Sequence, residues 1–201
     1  MNFLRRKPSL PAALKPQLDK EERVVAWALV SDERAVVATN HGLWLPGSPA
    51  GSSSGGSAPA GSSSAGSRPA GSSARRLGWH EIHKAAWSGR ELRITPAEQA
   101  EERDGYAVLV DGPIQSFLLL EPGQLPDQVR TRVTRSVAYT THHPLPSGAG
   151  GVRVVGRRVP GRNGLSWAVR YDSGTPVTLP AVIELTDELV ATAQGTMAAP
   201  E

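Results

Sequence analysis

Apolar residues in this chain gather in short runs bounded by polar turns, the rhythm of strands and hairpins rather than of long helices. Residues 24–30 form a Val-rich run, Ser31-Asp32-Glu33-Arg34 is a polar turn, and 35–45 is apolar again with Thr39, Asn40 and Gly42 inside it. This pattern predicts a first hairpin. Residues 77–87 resume with Trp, Ile and Ala, and Ser88-Gly89 turns them into 91–95. There Leu92 and Ile94 alternate with Glu91, Arg93 and Thr95, as in a half-buried strand. A third hairpin is predicted from 106–110, the turn Asp111-Gly112-Pro113, and 114–120.

The period then changes. Pro126 stands near the start of a segment in which Val129, Val133 and Val137 recur every four residues, with Arg132 and Arg135 assigned to the other face. This predicts a helix that ends near Thr141, ahead of Pro144. A loose connector over 147–151 leads to the runs 152–159 and 165–171, joined by Gly161-Arg162-Asn163-Gly164. Asn-Gly between two strand-like runs is a strong hairpin signal. A last helix is expected over 186–194, with Thr186 as N-cap and Asp187 and Glu188 in its first turn.

One tract has nothing to bury. Residues 47–74 comprise 11 Ser, 7 Gly, 6 Ala, 3 Pro and 1 Arg, and Pro-Ala-Gly-Ser-Ser recurs at 49, 59 and 69. Such composition predicts a disordered loop. Because strand-like runs flank it, it is expected to be a loop between two strands of one sheet. Gly51-Ser52-Ser53-Ser54-Gly55 matches the G-x-S-x-G nucleophile pattern formally, but the strand before and the helix after that the elbow requires are missing.

Three hairpins followed by an amphipathic helix resemble the bacterial pleckstrin-homology-like (PH-like) domains. The resemblance is carried by Ala38-Thr39-Asn40-His41-Gly42-Leu43-Trp44, similar to their threonine-bearing second strand. It is also carried by Gly78-Trp79-His80-Glu81-Ile82-His83-Lys84-Ala85-Ala86-Trp87, similar to their third strand. It covers about residues 18–143 and implies a mainly β fold, a bent antiparallel sheet or partly open barrel capped by a helix. The expected organisation is a tail over 1–17, a PH-like domain over 18–143 interrupted by the loop 47–74, a β-β-α extension over 152–196, and a tail over 197–201. The Arg- and Ala-rich usage is also similar to uncharacterised conserved proteins of high-GC bacteria. Lipid-binding relatives carry basic residues around the first hairpin loop. Here that loop holds Asp32, Glu33 and a single arginine, so phosphoinositide binding is not expected.

Composition narrows the chemistry. The chain has 201 residues and no cysteine, which excludes disulfides, thiolate metal sites and a cysteine nucleophile. The basic start, Arg5-Arg6-Lys7, is followed by Pro8, Pro11, Lys15 and Pro16, so no secretion-signal core follows it. No run approaches the roughly 18 apolar residues of a membrane helix. The expected location is the cytoplasm. His80 and His83 fall on opposite faces of a predicted strand, and His142 and His143 are adjacent without further ligands, so no metal site is expected. Gly148-Ala149-Gly150-Gly151 precedes a strand rather than a helix, which argues against a phosphate or dinucleotide loop. No catalytic residue and no cofactor are predicted. The five tryptophans, all in predicted strands, are expected to fill the core.

Charge is the remaining signal. The net charge is only +3, yet residues 128–170 hold eight arginines and no carboxylate, while the last 31 residues hold no Lys or Arg. The arginines either pair with acidic segments in the fold, stay solvated, or form a face for an acidic partner. The candidate partner-binding residues are Arg132, Arg135, Arg153, Arg157, Arg158 and Arg162. The expected function is that of a non-catalytic interaction or adaptor module for another protein, with nucleic-acid binding through 128–170 as the alternative.

Overall fold

The computed structural model describes residues 9–30, 34–47, 74–146 and 148–198. The chain is mainly β. Its first sheet has the order β1-β2-β3-β4, from Val24–Leu29 (β1), Ala35–Thr39 (β2), Gly42–Leu45 (β3) and Arg75–Gly78 (β4). The second contains Ile82–Trp87 (β5), Glu91–Arg103 (β6), Tyr106–Asp111 (β7), Gln115–Leu118 (β8), Val137–Pro144 (β9), Gly151–Arg158 (β10) and Leu165–Tyr171 (β11). Its path is β5-β6-β7-β11-β10-β9, with β8 pairing to β6. Among the described residues, two α-helices, Leu125–Ser136 (α1) and Pro180–Ala198 (α2), pack on these sheets.

The first hairpin forms, but 35–45 is two strands rather than one. The cause is local. Thr39 Oγ1 accepts from the backbone N–H of His41 (3.2 Å) and of Gly42 (3.0 Å), closing a tight turn. A Cβ on Gly42 would stand 2.3 Å from the Leu77 carbonyl oxygen, so β3 and β4 meet there as the glycine pair Gly42–Gly78. A 3-10 turn, Trp79–Glu81, then carries the chain from the first sheet into β5. It removes Trp79 and His80 from the strand in which both were expected. Trp79 is buried, whereas Trp87 is 36% exposed, so the tryptophans do not all serve the core.

The third hairpin does not form as predicted. β7 and β8 both pair with β6 instead: β8 with its first part, Glu91 to Ile94, and β7 with its second, Ala97 to Arg103. β6 is 13 residues long, and its second half, rich in Glu, is largely exposed and shows no apolar alternation. Strand pairing there is set by β7, not by burial. Among the described residues, a single bridge, Val30 to Leu119, links the two sheets, and the first core packs Val36, Leu43, Leu45, Ile82, Leu92 and Ile94 under Leu125 and Val129 of α1. The result is a curled half-barrel closed by a helix.

α1 stops at Ser136, five residues before the expected end. Ser136 Oγ donates back to the Val133 carbonyl (2.7 Å), and the following Val-Ala-Tyr-Thr-Thr run has strand-forming side chains. That run becomes β9. The 152–171 hairpin forms as predicted, in continuous register from Val152–Tyr171 to Arg158–Leu165. It joins the rest of the sheet where β11 lies parallel to β7, at Ala168–Ala107 and Val169–Val108. A second core, with Val152, Val154 and Val169 against Val182, Val190 and Ala193 of α2, lies on one face. α2 starts six residues before the expected position. Thr186 is therefore not an N-cap but a buried interior residue, donating to the Val182 carbonyl (2.7 Å) and accepting from the Tyr171 hydroxyl (3.1 Å).

The low-complexity tract falls between β3 and β4, which pair antiparallel with Leu45 opposite Arg75. Residues 48–73 lie outside the described residues, as do Ser31, Asp32 and Glu33 of the first turn. Because Leu45 and Arg75 already stand side by side, a short turn can replace 48–73. We expect that deletion to keep the far-UV circular dichroism spectrum and to raise stability by about 1 kcal/mol, from the smaller loop-closure entropy. Urea unfolding of the two forms checks it.

Candidate anion-binding cleft

The last turn of α1, the start of β9 and the β10–β11 turn surround a cleft of about 580 Å³. Arg132, Arg135, Arg158 and Arg162 line it, together with Ser136 and Asn163, and among the described residues no Asp or Glu does. Trp79 lies beneath and Met197 of α2 also contributes.

Each arginine is placed by its element. Arg132 follows Val129 by three residues, so it lies beside the buried stripe of α1 rather than opposite it. Its guanidinium carbon stands 6.0 Å from the centroid of the Trp79 ring, a cation–π contact, and its Nε is buried without a hydrogen-bond partner. Burial, then the charges of Arg135 and Arg23, weaken its hold on the proton, though an arginine keeps its charge at any physiological pH. Arg158 Nη1 donates to the Arg135 carbonyl at the end of α1 (3.3 Å). That bond offsets the negative end of the helix dipole, which otherwise opposes an anion here. Arg162 rides on a turn held by the Arg162 N–H to Val159 carbonyl bond (3.1 Å). Gly161 (φ 77°) and Gly164 (φ 81°) supply the left-handed positions that turn needs.

The six predicted residues therefore separate. Arg132, Arg135, Arg158 and Arg162 come together. Arg153 is exposed on β10 opposite His142, five residues or about 17 Å of strand from Arg158. Arg157 is not a surface residue at all. It is 9% exposed, and its Nη1 donates to the carbonyls of Ile82 (3.0 Å) and Trp79 (3.5 Å) and to Ser136 Oγ (3.3 Å). Arg153 and Arg157 lie on the same face of β10, but the 3-10 turn, β5 and α1 cover that face at the Arg157 end, where β9 carries one extra residue, Ala138.

None of the four cleft arginines, nor Arg153, forms an ion pair among the described residues. Several carboxylates are engaged elsewhere: Asp111 with Arg170 (2.7 Å) and His83 (2.8 Å), Asp172 with His142 (2.6 Å), Glu101 with Arg103 (2.8 Å). Beside the cleft, burial pushes the His80 pKa down, and the charges of Arg157 and Arg162 push the same way against Glu81. His80 is thus neutral at pH 7. His83 is also pushed down by burial, with Asp111 opposing.

A second polar cluster lies at the first sheet. Asp19, Glu22 and His41 approach within 4.8 Å, a spacing that could hold a cation. Arg76 already fills that role, at 2.7 Å from Asp19 and 3.0 Å from Glu22.

The charge asymmetry of the sequence pointed to the cleft arginines. Nothing in the sequence pointed to Trp79, Ser136 or Met197 as their neighbours, because three distant segments bring these together. Among the described residues, no helix is long and apolar enough to cross a membrane. Comparison with protein-family models, curated proteins and solved structures finds no match for this chain.

Proposed function

We propose that the protein is a non-catalytic interaction module, with a PH-like half-barrel, that binds an acidic segment of another protein in the cytoplasm. The observation that carries this reading is a cleft with four arginines and no carboxylate. Unpaired guanidinium groups at short range repel one another, and an acidic ligand relieves that cost while forming bidentate hydrogen bonds. The cleft's size suits a few side chains rather than a folded surface. Nucleic acid is the second reading. It is less favoured because Trp79, the aromatic group beneath the arginines, is only 3% exposed and offers no face for a base to stack on.

A glutamate-rich peptide and an oligothymidylate, each fluorescently labelled, test the reading. The peptide is expected to bind, and the Arg158→Glu/Arg162→Glu double variant to lose about tenfold or more in affinity while it keeps its far-UV circular dichroism spectrum and cooperative unfolding. Both side chains are exposed, and losing the Arg158 bond to the Arg135 carbonyl should lower the thermal midpoint only slightly. Affinity unchanged in that variant, or tighter binding of the oligothymidylate at the same salt, rejects the reading.

A further inference from the structure

We infer that the acidic segment docks as an added strand antiparallel to the free edge of β9, its C-terminal acidic residues seated among Arg132, Arg135, Arg158 and Arg162. This rests on the cleft reading above and extends it to a binding mode.

β9 is the last strand of its sheet: it pairs with β10, and no other strand among the described residues pairs with it. From Tyr139 to Pro144 its register with β10 is regular, with Tyr139 opposite Gly156 and Pro144 opposite Gly151. Every second residue of such an edge turns its N–H and C=O outward, a ready template for another chain. Edges are commonly blunted by lysine, proline or inward charges, whereas Tyr139-Thr140-Thr141-His142-His143 carries none before Pro144.

Charge selects the occupant. The strand lies within a stretch that holds eight arginines and no carboxylate. A second copy of β9 would bring two such faces together, while an acidic chain is attracted to the edge. Geometry then selects the direction. The bulged residue Ala138, at the start of β9, lines the arginine cleft. A strand antiparallel to β9 therefore delivers its C-terminal end to the arginines. On one face, Thr140 and His142 are exposed; Asp172 already holds His142 (2.6 Å), so Arg153, opposite His142, is the positive charge that an acidic residue of the added strand meets there.

The probe is a Thr/Val peptide of about eight residues with glutamates at its C-terminal end, compared with the same residues in reverse order. It is also made with N-methyl groups on either of the two alternating sets of backbone nitrogens. The expected result is a preference of about tenfold or more for the C-terminal glutamates. One N-methyl set should abolish binding and the other leave it, because only one faces β9. Equal affinity for both orders, or equal tolerance of both N-methyl sets, overturns strand addition. If the Arg158→Glu/Arg162→Glu variant still loses the peptide in that case, the cleft reading survives alone. If it binds the peptide like the parent, both fall. A preference for oligothymidylate over either peptide overturns the choice of a protein partner.

Discussion

Replacing Arg157 with alanine is expected to destabilise the protein by about 3–4 kcal/mol, read as a lower urea midpoint with an unchanged slope. The guanidinium is buried and reaches two main-chain carbonyls and a hydroxyl on elements far away in sequence, 3-10 turn, β5 and α1. No carboxylate accompanies it. Burial works against the charge, and Arg170 adds to that. What holds the cation is a set of carbonyl dipoles, which themselves lose their donor if the side chain is cut back. An unsatisfied buried acceptor costs about 1–3 kcal/mol, and the removed stem leaves a void. Arg157→Met keeps most of the stem and removes the desolvated charge, so it should cost about half as much. A loss below about 1 kcal/mol for the alanine variant would show that water takes over these carbonyls and that Arg157 is no structural pin.

Glu22 supports the second large effect. Its side chain is buried, Oε1 accepts from Thr39 Oγ1 (2.6 Å) and Trp44 Nε1 (2.9 Å), and Oε2 accepts from Arg76 (3.0 Å). Burial alone raises the carboxyl pKa, but the bonds from Thr39, Trp44 and the Asp19 N–H, with the Arg76 charge, outweigh it and hold it below the usual value of 4.5. The folded state therefore binds this proton less readily than the unfolded chain. The stabilisation is complete above about pH 4.5 and is lost as the pH falls through the lower folded value. Glu22→Gln should cost about 2 kcal/mol at pH 7, because the new amide presents N–H groups where Oε atoms accept. It should also flatten the dependence of stability on pH in the acid range. Some dependence will remain, because Glu91 and Glu101 are also held low by hydrogen bonds from Arg93 and Arg103. An acid-unfolding series followed by tryptophan fluorescence measures both quantities. An unaltered acid limb would show that Glu22 is not the linked group.

What could be read from the chain follows a physical line. The 152–171 hairpin was legible because both of its determinants are local, an Asn-Gly turn and two Val-rich runs. The insertion between paired strands was legible for the same reason. The second half of β6 was not, because a strand held by a neighbour's main chain with both faces wet has no apolar alternation. The end of α1 was missed because Val137 continues the four-residue rhythm of Val129 and Val133 while the residues after it favour a strand. The arginine cleft was half legible. A run of eight arginines without a carboxylate marks the segment, but which of them are free depends on what covers each end of β10, and the 3-10 turn, β5 and α1 make Arg157 a buried support rather than a surface group. Exposed Arg153 and buried Arg157 read alike in any alternating pattern.

The parallel ladder between β7 and β11 has a consequence for how the molecule breathes. It spans only two residue pairs, Ala107–Ala168 and Val108–Val169, and is reinforced by Arg157 and by the packing of α2 near the β6–β7 turn, where Gln194 donates to the Gly105 carbonyl (3.1 Å). A main-chain ladder this narrow divides the chain into two units joined mainly by side chains, since Tyr106 and Val108 of β7 pack into the second core with Val152 and Val169. Amide protons of β9, β10 and β11 can then exchange through openings that leave the half-barrel closed. The arginine cleft bridges the two units elsewhere, between α1 and the β10–β11 turn, with Arg132 and Arg135 on one unit and Arg158 and Arg162 on the other. A ligand that bridges the four arginines ties the two units together, so its binding energy appears as slowed exchange far from the site itself.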